Sequence, residues 1–288
     1  MNKHSLTSII FCSVILICLG QFLCGSAAFG LTLMGPPRSL LQEGQSAISL
    51  EYNYNKMNLE AFGNFTEIDE VSGLQTTTPS YTKYKIESFK SSMVSARLDT
   101  NIFENWDLFV RIGTSDGKGE IKEEQPGGTS GQEFNDFDGN FGFSWGVGTR
   151  TTFYKEDNIS WGGTFQVNWT NPGKSDITDD TDSSFTGTAE IKYWEFQVGI
   201  GPTLEYNDIR IYCGPFLHFI KGDFNLTGTT VSSPATITYD ASQDIREKSQ
   251  VGGFLGAQWK INNNSSLITE GQFTDNGWGI GVSATWKF

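Results

Sequence analysis

The sequence predicts an all-β fold: a ten-stranded antiparallel up-and-down barrel that spans a membrane. Three observations predict it. Apolar and polar side chains alternate through ten segments, the connections between segments alternate in length, and aromatic residues gather at both ends of the oily faces. The last segment carries the pattern most plainly. Trp278, Ile280, Val282, Ala284, Trp286 and Phe288 share one parity, and Gly277, Gly279, Gly281, Ser283, Thr285 and Lys287 share the other. Successive side chains of a strand point to opposite faces, so this strand has one oily face and one small, polar face.

Residues 1–28 read as a signal peptide. Lys3 gives a short basic start, Leu6 to Leu23 is an apolar run, and Ser26-Ala27-Ala28 supplies small residues for a cut after Ala28, or after Gly30 as the alternative. Cys12, Cys18 and Cys24 leave with it, and Cys213 remains, on an oily strand face, as a small hydrophobe. Losing Lys3 moves the formal charge from −13 to about −14, which argues against nucleic acid as a partner. After the leader no stretch of apolar residues is long enough for a spanning helix, and no cofactor is expected.

Residues 29–44, with Pro36-Pro37, read as an irregular periplasmic lead-in, and residues 45–288 as the barrel. The first strand puts Ile48, Leu50, Tyr52 and Tyr54 outward. A polar excursion from Met57 to Thr82 leads to the second, with Val94, Ala96 and Leu98 out and Arg97 in. The third has Trp106, Leu108, Val110 and Ile112 out; a polar stretch, about Ser115–Gly139, precedes the fourth, with Phe141, Phe143, Trp145 and Val147 out. The fifth carries Trp161, Phe165, Val167 and Trp169 out, and Thr170–Gly187 is a third polar loop. The sixth shows Trp194, Phe196, Val198 and Ile200 out, with a phase slip near Tyr193 that suggests a bulge. The seventh puts Ile209, Ile211, Leu217 and Phe219 out, and Lys221–Ser249 is a fourth long loop. The eighth and ninth follow with Leu255, Ala257 and Trp259, then Leu267 and Phe273.

Connections one, three, five and seven run roughly 18 to 29 residues, and two, four, six and eight about 4 to 6. A barrel inserted from the periplasmic side has short turns on one rim and long loops on the other. Trp106, Phe153, Tyr154, Tyr206, Trp259, Trp286 and Phe288 gather near the short-turn rim; Tyr54, Phe141, Trp169, Trp194, Phe219 and Trp278 gather near the other. Two aromatic belts about an aliphatic band match interfacial anchoring. Hydrocarbon offers open strand edges no hydrogen bonds, so such strands must close.

The leader, the alternating segments, the loop parity and the terminal Trp286-Lys287-Phe288 resemble a small bacterial outer-membrane β-barrel protein over essentially the whole mature chain. Gly often precedes the closing aromatics in that family; here Ser283 holds the position and Gly281 lies two earlier. The resemblance implies a monomer in the bacterial outer membrane, in contact with its lipid and lipopolysaccharide. It also implies delivery to the barrel-assembly machinery through the carboxy-terminal strand.

Inward parity collects Glu51, Arg97, Asp99, Asp107, Arg111, Arg150, Glu195, Arg210, Lys260 and Glu270. Ten strands enclose a narrow lumen, and buried charges need partners, so these residues read as a salt-bridge network that plugs or constricts it. The alternative is a small pore whose Arg and Glu residues set selectivity. His218, the one histidine of the mature chain, faces inward. Outer-membrane phospholipases and lipid A deacylases resemble one another in a Ser two residues after the His, where Ile220 stands here; outer-membrane proteases of the aspartyl type have Asp two before it, where Phe216 stands. His218 therefore reads as a hydrogen-bonded interior residue. The acidic stretches Asp176–Asp182 and Asn135–Asn140 lack the full spacing of calcium ligands and read as solvated loops. The expected function is non-enzymatic, a structural barrel or narrow porin-like channel. The alternatives are a surface adhesin or ligand receptor working through the long loops and, behind both, a lipid-modifying enzyme using His218.

Overall fold

The computed structural model describes residues 31–71, 74–124, 130–133, 136–178, 184–232, 235–246, 250–275 and 277–288; the expected signal peptide lies outside them. The strands are β1 (Ser46–Val71), β2 (Leu74–Phe103), β3 (Trp106–Glu124), β4 (Ser130–Glu133), β5 (Phe137–Glu156), β6 (Ile159–Thr170) and β7 (Lys174–Thr178). They continue as β8 (Phe185–Tyr206), β9 (Ile209–Ser232), β10 (Ala235–Arg246), β11 (Val251–Lys260), β12 (Ser265–Thr274) and β13 (Gly277–Lys287).

Ten of these form one closed antiparallel ring, in the order β1, β2, β3, β5, β6, β8, β9, β11, β12, β13 and back to β1. The closing ladder runs from Ala47↔Lys287 to Lys56↔Trp278, and Ser46 and Phe288 exchange both backbone hydrogen bonds at 3.1 and 2.9 Å. At the lower rim the hairpins turn through Asn105, Asp157 and Asn207, with φ of 65°, 49° and 53°. Asn and Asp tolerate that left-handed conformation better than other non-glycine residues, and it suits the tight turns that twisted hairpins need.

The long connections expected as polar loops are largely strands. β1 is 26 residues long and β2 30, where about 10 suffice to cross a bilayer. Above the ring, β10 takes the place of β11 to β13: it pairs with β1 from Glu60↔Arg246 to Val71↔Ala235 and with β9 from Arg246↔Lys221 to Ala235↔Ser232. The result is an upper extension standing on the lower barrel. β7 borders it beside β8 and meets β5 where the Asp138 amide donates to Ser175 Oγ at 2.8 Å.

One physical inversion separates the halves. In the lower barrel the inward side of β1 carries Glu51, Asn53 and Asn55; continuing at the same parity, Met57, Leu59 and Ala61 are buried in the extension. They join Ile86, Phe89, Ile121, Phe137, Ile191 and Phe224 in an apolar cluster. Water bathes the outside of the extension, so its oily residues turn inward; the lower barrel does the reverse. The same inversion explains β8. No register break occurs near Tyr193, so the bulge expected there is absent: Ala189, Ile191, Tyr193, Glu195 and Gln197 all point inward, and only their chemistry changes. A bulge does occur on β2, where the register shifts between Glu87 and Lys90 and Ser88 takes φ 51°.

Candidate functional site

The lumen of the lower barrel is occupied by the chain's own amino-terminal segment. Residues 31–45 are irregular, as the proline pair predicts, but they do not lie below the barrel as a periplasmic lead-in would. From Gln45 at the lower rim they run back up the inside, and Leu31, Leu33 and Met34 are buried. The small inward face of β13 makes room for them: a Cβ on Gly281 would fall 2.9 Å from Leu33 Cβ, and one on Gly279 3.2 Å from Leu31 Cβ. Gly199 makes room in the same manner: a Cβ there would fall 3.1 Å from both Met34 Sδ and Phe254 Cε1.

An irregular backbone buried in a barrel must find hydrogen-bond partners on the wall. Leu33 donates its amide to Asn53 Oδ1 at 2.8 Å; Met34 and Gly35 donate theirs to the two oxygens of Glu270 at 3.0 and 2.9 Å. The Thr32 amide and hydroxyl both donate to Glu195, the amide at 3.2 Å. The Thr32 carbonyl accepts from Gln166 at 2.9 Å and Gln272 at 3.1 Å. Lower down, Asp107 accepts from Ser39 Oγ at 2.7 Å and the Leu40 amide at 2.6 Å, and Lys287 donates to the Leu40 carbonyl at 2.6 Å.

Glu51, Arg97, Asp99, Arg111 and Arg150 converge in one cluster of ion pairs. Glu51 receives Arg97 at 2.6 Å and Arg111 at 2.7 Å; Asp99 receives Arg97 at 2.9 Å and also pairs with Arg150. The Phe109 ring sits beneath all three guanidinium groups, 5.2 Å from Arg97, 5.8 Å from Arg111 and 5.1 Å from Arg150, a cation–π arrangement that helps to compensate their desolvation. Arg111 reaches Asn168 as well, and Asn168 donates to Glu195 at 3.0 Å, which links the two carboxylate centres. Tyr212 donates to Glu270 at 2.9 Å.

The other five residues of the expected network take no part in these ion pairs: Asp107, Glu195 and Glu270 hold the lumenal segment, and two lie elsewhere. Arg210 and Lys260 sit at the lower rim, where both pair with Glu205, joined by Arg38 at 3.3 Å. Glu205 and Arg38 were not among the candidates: one closes a strand and the other belongs to the lead-in, so parity gave no signal for either. His218 is buried, with Nε2 3.1 Å from Glu195 Oε1. Of the acidic stretches, Asn135 and residues 179–182 lie outside the described residues, while Asp138 pairs with Lys118 at 2.8 Å.

Outside, the lower barrel is oily. Leu50 and Ile112 are each 58 % exposed, and Val94, Leu98, Val110, Val147, Val198, Ile200, Ile280 and Val282 share their face. Aromatic residues bound this band. Trp106, Trp259, Trp286 and Phe288 are exposed at the short-turn end, and Phe141, Trp194 and Trp278 at the other. There Trp278 packs on Tyr54 with ring centroids 5.5 Å apart, and Trp169 on Phe143 at 6.2 Å. A continuous apolar girdle about a charged interior is stable only against hydrocarbon. The molecule is a transmembrane β-barrel. Closed antiparallel barrels of this kind are the spanning structures of bacterial outer membranes, the location expected from the sequence.

No protein-family model and no curated protein matches the chain. Solved outer-membrane barrels do. The outer membrane protease OmpT from Escherichia coli aligns at 12 % identity over 84 % of this chain and 94 % of that one, with a TM-score of 0.46. OprG from Pseudomonas aeruginosa aligns at 9 % identity over 89 % and 99 %, with a TM-score of 0.38. Ail, the attachment invasion locus protein of Yersinia pestis, aligns at 11 % identity over 86 % and 100 %, with a TM-score of 0.28. The barrel assignment rests on the closed ladders and the girdle, and these alignments say nothing of activity.

Proposed function

We propose that this barrel is a non-conducting, non-enzymatic membrane anchor whose upper extension is the working surface, a rigid platform for surface adhesion or ligand reception. One observation carries the reading: the route through the barrel is filled twice. Residues 31–41 occupy the lower lumen on hydrogen bonds to Asn53, Asp107, Glu195 and Glu270, and the apolar cluster about Phe89, Phe137 and Phe224 fills the extension above. A dry apolar plug over a hydrogen-bonded one supports display rather than permeation. His218 is engaged with Glu195 beneath this packing, which speaks against its use on an external lipid. The barrel would act as a monomer, inserted by the assembly machinery through β13.

Planar-bilayer recording of the purified full-length protein tests the first half of this reading: no conductance steps are expected, and regular steps would restore the channel. Replacing the β1–β2 hairpin above Lys56 and Lys90 with a short turn tests the second. Binding of cells to host-cell or matrix surfaces should fall, and unchanged binding would remove the adhesin reading.

A further inference from the structure

We infer that the outer face of β1, β2 and β3, just above the hydrocarbon girdle, binds the phosphate of a lipid headgroup through Lys56, Lys90 and Lys118. The three lysines form one row across adjacent strands: Lys56 pairs with Lys90, and Lys90 with Lys118. Directly opposed residues on one sheet face have Cβ atoms about 5 Å apart, and like charges so placed repel. In a chain with net charge −13, three successive cations are a departure from composition. Lys118 donates to Asp138 at 2.8 Å, and nearby Asp116 accepts the Ser92 amide at 2.7 Å; no ion pair is described for Lys56 or Lys90.

The rows above differ. There Glu60 pairs with Lys83 at 3.3 Å and Lys122 with Glu87 at 2.9 Å, so cations and carboxylates neutralise one another within the protein. The row at Lys56 sets one carboxylate, Asp138, against three lysines and so leaves positive charge for an outside anion. Its height says which one. Trp278 is the cross-strand neighbour of Lys56, and Tyr54, two residues below on the same face, packs against that Trp278 ring. Tyr and Trp mark the headgroup level of a bilayer, and lysine stems reach along it with the ammonium in the polar zone. The oily face immediately beneath, with Tyr52 and Val94, receives the acyl chains of the same molecule. A free phosphate ion would gain nothing from that face.

Detergent-purified full-length protein, titrated separately with phosphatidic acid, phosphatidylcholine and inorganic phosphate, tests this by native mass spectrometry. The wild type should retain phosphatidic acid over phosphatidylcholine. The triple variant Lys56→Gln, Lys90→Gln, Lys118→Gln should lose about 100-fold in that retention, about fivefold per lysine. A control triple variant, Lys83→Gln, Lys85→Gln, Lys122→Gln, should keep it. All six side chains point away from the interior, and heat-dependent gel mobility checks that each variant is folded. Undiminished retention in the first variant, or an equal loss in the control, overturns the site. Displacement of the lipid by millimolar inorganic phosphate overturns its assignment to a lipid.

Discussion

Arg111 donates through Nη2 to the carbonyl oxygen of Leu33 at 2.9 Å, while its Nε reaches Glu51 at 2.7 Å. One guanidinium therefore fastens the lumenal segment to β1 and β3 together. Only a planar fork can serve these directions at once, and a lysine ammonium in its place could not.

Replacing Arg111 should consequently cost more than a surface ion pair. Arg111→Leu strips Glu51 of one partner and orphans the Leu33 carbonyl, and the expected loss is about 3–5 kcal/mol. Arg111→Lys should recover part of it. Urea unfolding of the detergent-folded protein, followed by tryptophan fluorescence, measures both; equal stability of Arg111→Leu and wild type would contradict the assignment.

The lumenal segment is held by carboxylates, and losing them should loosen it without opening the wall. Glu195→Ala with Glu270→Ala leaves the Thr32, Met34 and Gly35 amides unpaired, at about 1–3 kcal/mol each. Hydrogen exchange at Met34 and Gly35 should accelerate by orders of magnitude while the β1–β13 ladder stays protected. A uniform acceleration would mean that the whole barrel had been weakened instead.

Gly148 should not tolerate a methyl group. A Cβ there would lie 2.3 Å from the Phe109 ring and 2.6 Å from the Phe165 carbonyl oxygen, so Phe109 would have to leave its place beneath Arg97, Arg111 and Arg150. Gly148→Ala is expected to destabilise by about 1–3 kcal/mol. The same change at Gly44, where nothing lies within 4 Å but φ is +74°, should cost about 1 kcal/mol through backbone strain alone. Thermal unfolding midpoints rank the pair.

The extension should lose stability in alkali. Burial, reinforced by Glu123, pushes the Tyr84 phenol above its ordinary value. A raised pKa in the folded state means that the unfolded chain ionises first, so the stabilisation is intact below pH about 10 and is lost as pH climbs beyond it. Protease digestion across pH 8–11.5 should cut the extension faster as pH climbs, and Tyr84→Phe should blunt that pH dependence. An identical profile for the variant would assign the effect elsewhere.

The lower barrel was legible because a membrane imposes one rule on every strand: whatever faces lipid must be oily. That rule placed Leu50, Val94, Ile112 and Ile280 outside and Glu51, Arg97 and Arg150 inside from parity alone. It could not choose partners. Arg111, on β3, pairs with Glu51 rather than Glu270 because β1 lies two strands away around the ring and β12 four. The extension escaped because its polarity is inverted. Met57, Leu59 and Ala61 continue the inward parity of Glu51 and Asn53, so the signal was present, but as unbroken alternation with exchanged chemistry rather than as a strand of the lower kind. The lumenal segment escaped for another reason. Its residues have no period, and the glycines that admit it, Gly279 and Gly281, lie at the opposite end of the chain.

Residues 31–45 hang from the foot of β1, and β1 is the strand that receives β13 in the closing ladder. The segment is thus threaded through a hoop whose final seam is its own continuation. Were that seam to zip before the segment had folded inward, the segment would have to enter end-on through the lower rim. Seating Leu33 and Met34 among their wall partners before Ala47 meets Lys287 would avoid that passage.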